Sequence, residues 1–189
     1  MSAALKLISH TEYLAGEEIA TAKSEYYRGQ VYAMAGGSIN HNRIAGNIYH
    51  TLRGSLKGRR CEAFTSDMKV RIDTHDLDTY PDAMVICGKP QFFAERKDMV
   101  TNPKVIFEVL SDSTQSYDRG KKFEFYRSIA SLEDYVLLDQ ARVYVEYYHK
   151  LANGHWEMTI LNQLDQSLNL HSLQVDLPVE ALYDYVDWS

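Results

Sequence analysis

Two stretches in the middle of the chain, YPDAMVIC (80–87) and KVIFEVL (104–110), decide the fold. Both are dominated by Val, Ile, Met and Phe, the composition of strands that are covered on both faces. Each nevertheless carries one acid, Asp82 at the head of the first and Glu108 inside the second. A carboxylate in an apolar strand is costly unless it is paired or metal-bound. Two such acids that converge at one end of a sheet predict a site for a hard cation, Mg²⁺ or Mn²⁺.

A second interpretation of these two acids requires no metal. Buried charges are most often simply paired, so Glu108 could form an ion pair with an Arg or Lys. Asp82 follows Pro81, a residue suited to the first position of a strand, and could do no more than cap a turn. The pair could also act as the acid and base of a glycoside hydrolase. The two strands alone leave these alternatives open.

The segment SDSTQSYDRGKKFEFYR (111–127) follows Glu108 and predicts a polar turn that leads into a helix over 116–129. Asp118 and Lys122 are four residues apart, so they face one another on such a helix. One interpretation is a surface ion pair worth about 0.3–0.5 kcal/mol. The other is a lysine that Asp118 holds towards the metal site, where it would stabilise negative charge on a phosphorane-like transition state.

A helical stripe precedes the two strands. Ile, Ile, Leu and Leu recur every four residues at positions 44, 48, 52 and 56, which predicts a long amphipathic helix with this side buried. Ser38 or Asn40 would cap the start of the helix, and Gly58 would close it.

The remaining patterns predict further strands and short helices. In chain order they are a helix over about 10–18 opened by Ser9 and Glu12, a β-hairpin in SEYYRGQVYAMAG (24–36), the strands CEAFT (61–65), MKVRID (68–73) and YVLLD (135–139), the alternating tail segments VYVEYYHK (143–150), HWEMTIL (155–161) and SLNLHSL (167–173), and a last helix over 179–185. This order predicts an α/β (α+β) fold with a central mixed β-sheet flanked by helices, an N-terminal hairpin and C-terminal antiparallel strands.

Length and composition set the outer limits. A chain of 189 residues, 45% hydrophobic and 24% charged, predicts a single folded domain over 1–189. The 20 basic and 26 acidic side chains give a net charge of −6, which argues against coating nucleic acid through global positive charge but leaves a local basic track open.

No apolar run approaches the roughly 20 residues of a membrane span. Cys61 and Cys87 match neither a metal-site spacing nor a disulfide framework, so we expect a cytoplasmic protein with reduced thiols and no membrane partner.

These motifs carry a resemblance to a known family. Pro81-Asp82, followed by Glu108 on the next apolar strand, resembles the PD-(D/E)XK nuclease superfamily. The stretches YPDAMVIC, KVIFEVLSDSTQSYDRGKKFEFYR and SLEDYVLLD (131–139) resemble its endonuclease branch, which has the restriction-endonuclease-like fold. The match also takes in SEYYRGQVYAMAGGSINHNRIAGNI (24–48) and therefore covers a core of about 24–148.

The resemblance implies a Mg²⁺- or Mn²⁺-dependent endonuclease that hydrolyses phosphodiester bonds of nucleic acid, with DNA as the expected substrate, and a homodimer if both strands are cut. In the superfamily two acids and a lysine two residues after the second acid serve one metal site, but Leu110 occupies that lysine position here. The branch implies that the following helix supplies the lysine instead. Lys122 stands in the matching place, and Lys121 is the alternative for a different helix phase. The backbone carbonyl of Val109 is implied as a third metal ligand.

Two N-terminal residues also match the branch. Glu25 is implied as a further catalytic carboxylate beside the metal, and His41 as a contact to the phosphate or to the attacking water. Without the resemblance, Glu25 could equally be an exposed hairpin acid and His41 a hydrogen-bonding residue at a helix start.

Basic residues suggest where nucleic acid would bind. They are Arg43, Arg53, Lys57, Arg59 and Arg60 along the long helix and its exit, Lys69 and Arg71 on a strand, and Arg119, Lys121, Lys122 and Arg127 near the proposed site. Arg119 and Lys121 are the expected substrate-binding residues among them, because phosphate contacts need only such a local track. The alternative is a solvated surface of ordinary charge density. The Leu110 position also leaves open a nuclease fold that binds nucleic acid without cutting it.

Overall fold

The computed structural model describes residues 7–34 and 36–188 of the chain. The helices are α1 (His10–Ile19), α2 (Ile39–Ser55), α3 (Gln115–Tyr117), α4 (Phe123–Tyr126) and α5 (Val179–Leu182), with a 3₁₀ turn at Asp73–His75 and a π-helical segment at Asp118–Lys122. The strands are β1 (Ser24–Tyr27), β2 (Gln30–Ala33), β3 (Cys61–Thr65), β4 (Lys69–Ile72), β5 (Leu77–Thr79), β6 (Ala83–Cys87), β7 (Met99–Val100), β8 (Val105–Leu110), β9 (Asp134–Asp139), β10 (Val145–Lys150), β11 (Trp156–Leu161), β12 (Ser167–Leu170) and β13 (Val175–Pro178).

A six-stranded mixed sheet in the order β11-β10-β9-β8-β6-β3 forms the centre. β8 and β9 are parallel, and the other neighbours are antiparallel. Every residue of β8 is buried, as its continuous apolar composition predicts for a strand covered on both faces. The predicted central mixed sheet with flanking helices, N-terminal hairpin and C-terminal antiparallel strands is therefore confirmed.

Two cores lie on opposite faces of this main sheet. The first core packs α2, the β12–β13 hairpin and α5 against one face, and it contains Val105, Phe107 and Val109 of β8. The second core contains Ile106 and Leu110 together with residues of β4, β5 and α4. Because side chains alternate along a strand, residue 108 shares the phase of the second core. The one acid of β8 therefore faces that side of the sheet.

A second sheet, β2-β1-β5-β4-β7, covers the second core. The hairpin of β1 and β2 forms as predicted, while Ala35 at the end of that stretch lies outside the described residues. The sequence predicts one central sheet and does not indicate β5 and β7, which have three and two residues. Strands this short show too few alternations to be recognised by periodicity.

The long helix α2 starts as predicted and ends earlier. The Ser38 hydroxyl accepts a hydrogen bond from the backbone N–H of His41 at 3.1 Å, so Ser38 is the N-cap and Asn40 is not. Ile44, Ile48 and Leu52 are fully buried in the first core. The helix ends at Ser55, before Gly58.

The helix predicted over 116–129 is interrupted. It consists of α3, the π-helical segment and α4, and it ends at Tyr126. A π-helical turn is wider than an α-helical turn, so the side chains after it have a different phase from those of a regular helix. Lys122 is consequently buried, whereas the Lys121 side chain is half exposed.

The expectation of reduced thiols is wrong. Cys61 and Cys87 stand directly opposite one another in the antiparallel pairing of β3 and β6 and form a disulfide, with Cα atoms 3.9 Å apart. Their separation of 26 residues gave no sign of this, because strand register, which sequence spacing does not encode, brings them together. Among the described residues, no helix is both long and apolar enough to span a bilayer.

Candidate metal centre

Asp82 immediately precedes β6, and Glu108 lies inside β8, the neighbouring strand of the main sheet. β6 and β8 pair Ala83 with Phe107, and continuing this register places the two acids side by side. Oδ2 of Asp82 accepts a hydrogen bond from the backbone N–H of Val109 at 2.7 Å. Asp82 follows Pro81, which has no N–H to donate. The structure thus brings together the two acids that the sequence singles out.

Glu108 is buried and accepts two hydrogen bonds at the same oxygen. Its Oε1 lies 2.7 Å from the Tyr126 hydroxyl, which donates to it, and 2.9 Å from Lys122 Nζ. Burial raises the pKa of Glu108 to about 8, and the negative charges of Asp82 and Asp118 add to this rise, whereas Lys122 opposes it. The site therefore gathers more negative charge than its own cation balances.

Lys122 lies at the centre of a group of carboxylates. Its Nζ is 2.9 Å from Glu108, 3.6 Å from Glu25 and 3.7 Å from Asp118. Burial alone would lower the pKa of this lysine, but attraction by Glu108 above all holds the pKa well above its usual value. Lys122 is thus a fixed positive charge, and it stands beside the second acid although Leu110 occupies the usual lysine position.

Glu25 reaches the site from the second sheet. Its Oε1 accepts hydrogen bonds from the Thr79 hydroxyl and, at 3.4 Å, from the backbone N–H of Tyr80. These contacts arise because β1 pairs with β5, which ends at Thr79. Glu25 is therefore a part of the cluster, and not an exposed acid of the hairpin.

His41 stands in the first turn of α2 and contacts Asp82. Its Nε2 lies 3.3 Å from Asp82 Oδ2. This hydrogen bond raises the pKa of His41, although burial opposes the rise. On the other side of the ring, a Cβ at Gly37 would come within 2.8 Å of His41 Nδ1. The absence of a side chain at position 37 therefore leaves room for the imidazole.

Arg119 and Lys121 do not join the cluster. Arg119 donates to Glu146 and to Gln115, in each case at 2.7 Å. Lys121 forms an ion pair with Glu124 at 3.1 Å, and its ammonium lies over the ring of Phe125. The expected role of these two residues in substrate binding stays a prediction.

Two residues of the site were missed in the sequence. Tyr126 was not singled out, although it stands four residues after Lys122, a spacing that places both on one side of a helix. Thr79 lies on a strand that has no recognisable pattern of its own. The first could have been found from its spacing, and the second only from the tertiary structure.

The donor set fits a hard divalent cation that keeps part of its water shell. Among residues 7–34 and 36–188, no three His, Cys, Asp or Glu side chains form a ready-made metal cage. Asp82 and Glu108 nevertheless present two adjacent carboxylates, and Glu25 and Asp118 join Glu108 around Lys122. Mg²⁺ typically binds through one or two carboxylates and retains several waters. Val109 donates its N–H to Asp82, and a role of its carbonyl as a ligand stays a prediction.

The sequence is similar to a known family and to two individual proteins. The model of the Uma2 family, described as "Putative restriction endonuclease", matches residues 11–180. Two uncharacterized proteins of Synechocystis sp. are similar. The protein sll1609 is 42% identical over 159 residues, which are 84% of this chain and 90% of that protein. The protein slr1290 is 38% identical over 185 residues, which are 96% of this chain and 94% of that protein.

A solved structure shows the same fold. It is described as a "putative nuclease belonging to DUF820" from Anabaena variabilis, and it superposes with a TM-score of 0.76 over 95% of this chain and 99% of that one. At 17% identity the likeness concerns the fold alone. It confirms the predicted fold class.

Proposed function

The chain belongs to the Uma2 family, whose members are described as "Putative restriction endonuclease", and from that premise we propose that it is a metal-dependent endonuclease that hydrolyses phosphodiester bonds, with DNA as its substrate. One observation carries the proposal. Lys122 Nζ lies 2.9 Å from Glu108 Oε1, so a lysine from the helix stands beside the second acid of the pair. The geometry favours Lys122 over Lys121 for this role.

Asp82 and Glu108 would hold the cation, together with the carbonyl of Val109. Bound Mg²⁺ or Mn²⁺ supplies Lewis-acid polarisation of the scissile phosphodiester and of the attacking water. The protein fixes the two carboxylates in advance, because the N–H of Val109 holds Asp82 and the hydroxyl of Tyr126 holds Glu108. Such fixed groups need no reorganisation when the substrate arrives.

Lys122 would stabilise the negative charge that develops on the phosphate during hydrolysis. Its ammonium is buried and surrounded by carboxylates that keep it protonated. A fixed positive charge in a site that excludes water is worth more than the same charge in bulk solvent. Glu25 and Asp118 position this ammonium from two sides.

His41 and Glu25 flank the proposed cation site and are suited to contact the attacking water or the phosphate. His41 carries a raised pKa because of Asp82, so its protonated form would favour an anionic phosphate. No covalent intermediate is required, because a water activated at the site displaces the leaving oxygen directly. We further propose a homodimer for the cutting of both strands of a duplex, since each site would cut one strand.

The experiment that tests the proposal is cleavage of supercoiled plasmid and of single-stranded DNA in Mg²⁺ or Mn²⁺. The wild-type protein should cut, and Asp82→Ala and Glu108→Ala should each abolish cutting while they retain the fold by circular dichroism. Excess EDTA should stop the wild-type reaction. A wild-type protein that is inert with every metal would contradict the proposal, and so would variants that cut equally well.

A second candidate function is a nuclease fold that binds nucleic acid without cutting it. It is favoured by Leu110 at the usual lysine position and by the ion pair that already engages Glu108 Oε1. Binding of labelled DNA that is unchanged by Asp82→Ala, with no cleavage by the wild-type protein, would favour this alternative.

A further inference from the structure

A basic groove lies at the end of α2 opposite to the proposed metal centre. It is bounded by the end of α2, the turn into β3, and the turn that follows β6, and its volume is about 760 Å³. The charged side chains that line it are Arg53, Lys57, Arg59, Arg60, Lys89 and Glu62. Five of these six are basic, on a chain with a net charge of −6. The groove is therefore a local reversal of the overall charge.

Three of the five cations have no partner in the described part of the chain. Lys57, Arg60 and Lys89 are exposed and form no ion pair with any residue of 7–34 or 36–188. Their charges are therefore available to a ligand.

The other two cations have partners of their own. Arg59 donates to the carbonyls of Leu173 at 2.6 Å and Gln174 at 3.3 Å, which fixes its guanidinium. Arg53 lies 3.7 Å from Glu62, but both side chains are more than half exposed, so the pair is weak. One guanidinium in the groove is thus held in place, and the three unpaired cations line the same groove.

The helix dipole explains only part of this arrangement. Cations near a helix C-terminus gain about 0.3–1 kcal/mol from the partial negative charge there, and the effect is confined to the last turn. Arg53 is in the last turn of α2, but Arg60 lies beyond the helix and Lys89 comes from the turn after β6. Their convergence on one groove needs another reason.

The groove and the proposed metal centre are spaced along one rigid helix. His41 stands in the first turn of α2, and Leu56 caps its end and lines the groove. The fifteen steps along the helix from His41 to Leu56 span about 22 Å at about 1.5 Å per residue. On one strand of B-DNA, with phosphates every 3.4 Å along the axis, this equals about six or seven base pairs. Only a polyanion longer than this can reach both places.

We propose that the basic groove at the end of α2 is a second contact site for the phosphate backbone of nucleic acid, engaged while the same strand or duplex lies at the metal centre. The inference rests on the proposed function, because that function makes nucleic acid the ligand. The groove would position long substrates and strengthen their binding. It would take no part in the chemistry.

The test measures binding of a fluorescein-labelled 24-base-pair duplex by anisotropy, without divalent metal, at several salt concentrations. The groove variant is Lys57→Ala/Lys89→Ala. The control, Lys97→Ala/Lys150→Ala, removes the same charge from two other sites, since Lys97 lies in the loop before β7 and Lys150 ends β10, four strands across the main sheet from β3. The groove variant should bind at least tenfold more weakly at 50 mM salt. Its salt slope should fall by about 2, because each lost phosphate contact removes about 0.9.

Substrate length separates the groove from the catalytic site. Cleavage of a four-nucleotide oligomer, which cannot span about 22 Å, should be the same in the groove variant and the wild type, whereas cleavage of the 24-base-pair duplex should fall. If the protein cuts nothing but the groove variant still loses binding, the groove proposal stands and the endonuclease proposal fails. Equal loss in the groove and control variants would overturn the groove proposal. Unchanged duplex binding with lost binding of inorganic pyrophosphate would also overturn it, and would assign the groove to a small anion.

Discussion

The lysine beside Glu108 comes from the helical segment, as Lys122, because Leu110 stands two residues after that acid on β8. Leu110 is buried in the second core, so a lysine there would bury its charge among apolar side chains. Lys122 enters from the helix and contacts Glu108 at 2.9 Å instead. The site thus receives its positive charge from Lys122, and β8 keeps an apolar residue at position 110.

The first prediction concerns this lysine. Lys122→Met should lower the rate of DNA cleavage by about 100-fold or more, because removing one preorganised charge from a transition state costs about 10²–10³ in rate. The matched control is Lys121→Met, which removes the neighbouring, half-exposed lysine. At saturating DNA its single-turnover rate should be close to that of the wild type, because a residue that only binds substrate affects the affinity and not this rate. Single-turnover cleavage and thermal melting together separate a catalytic loss from unfolding. A larger loss of rate in Lys121→Met than in Lys122→Met would show that Lys121, and not Lys122, supplies the catalytic charge.

The second prediction concerns the glycine beside His41. A methyl group at Gly37 would come within 2.8 Å of His41 Nδ1, whereas a Cβ at Gly36 meets nothing within 4 Å. Gly37→Ala should therefore displace the imidazole from Asp82 and reduce cleavage to the level of His41→Ala, while Gly36→Ala should not. The proton resonances of the His41 ring would report its displacement. Identical rates for the two glycine variants would show that the ring position does not matter.

Two features at the scale of elements could not be predicted from the sequence. They are the π-helical segment and the register in which β3 pairs with β6. The π segment contains both Asp118 and Lys122 and buries them. Such wide turns occur often at functional sites. The β3–β6 register likewise places two cysteines opposite one another. Each feature depends on a shift of one residue, which hydrophobic periodicity does not resolve.

The third prediction follows from the disulfide between these strands. Closing a loop of 26 residues stabilises the fold by about 3.5 kcal/mol in the chain-entropy account. Reduction with dithiothreitol should therefore lower the melting temperature by roughly 7–14 °C for a chain of this size. Cys61→Ser/Cys87→Ser should melt at the lower temperature with or without the reductant. A melting temperature of the wild type that ignores the reductant would contradict the disulfide.

At the scale of the whole molecule, the site forms where the two sheets meet. Asp82 and Glu108 come from the main sheet, Glu25 from the second sheet, and Lys122 from the helical segment between β8 and β9. Three acids, Glu25, Glu108 and Asp118, surround Lys122, and Asp82 stands beside Glu108. Burial, together with the negative charges of Asp82 and Asp118, raises the pKa of Glu108. The folded protein without a cation therefore carries an unfavourable electrostatic energy, which a bound divalent ion would relieve.

The fourth prediction is that Mn²⁺ stabilises the fold. At ten times its dissociation constant, a ligand that binds only the native state adds about 1.4 kcal/mol, which would raise the melting temperature by about 3–6 °C. Asp82→Asn/Glu108→Gln should abolish this shift. Asp165→Asn/Glu157→Gln, which neutralises two exposed acids, should retain it. An equal shift in both double variants would place the ion elsewhere.

The amino-acid sequence by itself determined the six strands of the main sheet, the long helix, and the two acids Asp82 and Glu108. These features depend on composition, alternation and capping within a few residues, which are local properties of the chain. The tertiary structure alone decided that Lys122 and not Lys121 faces Glu108, that Glu25 joins the site through Thr79, and that Cys61 meets Cys87. It also decided the second sheet and the basic groove. Each of these depends on helix phase or strand register between residues far apart in the chain, and the packing of the two cores fixes both.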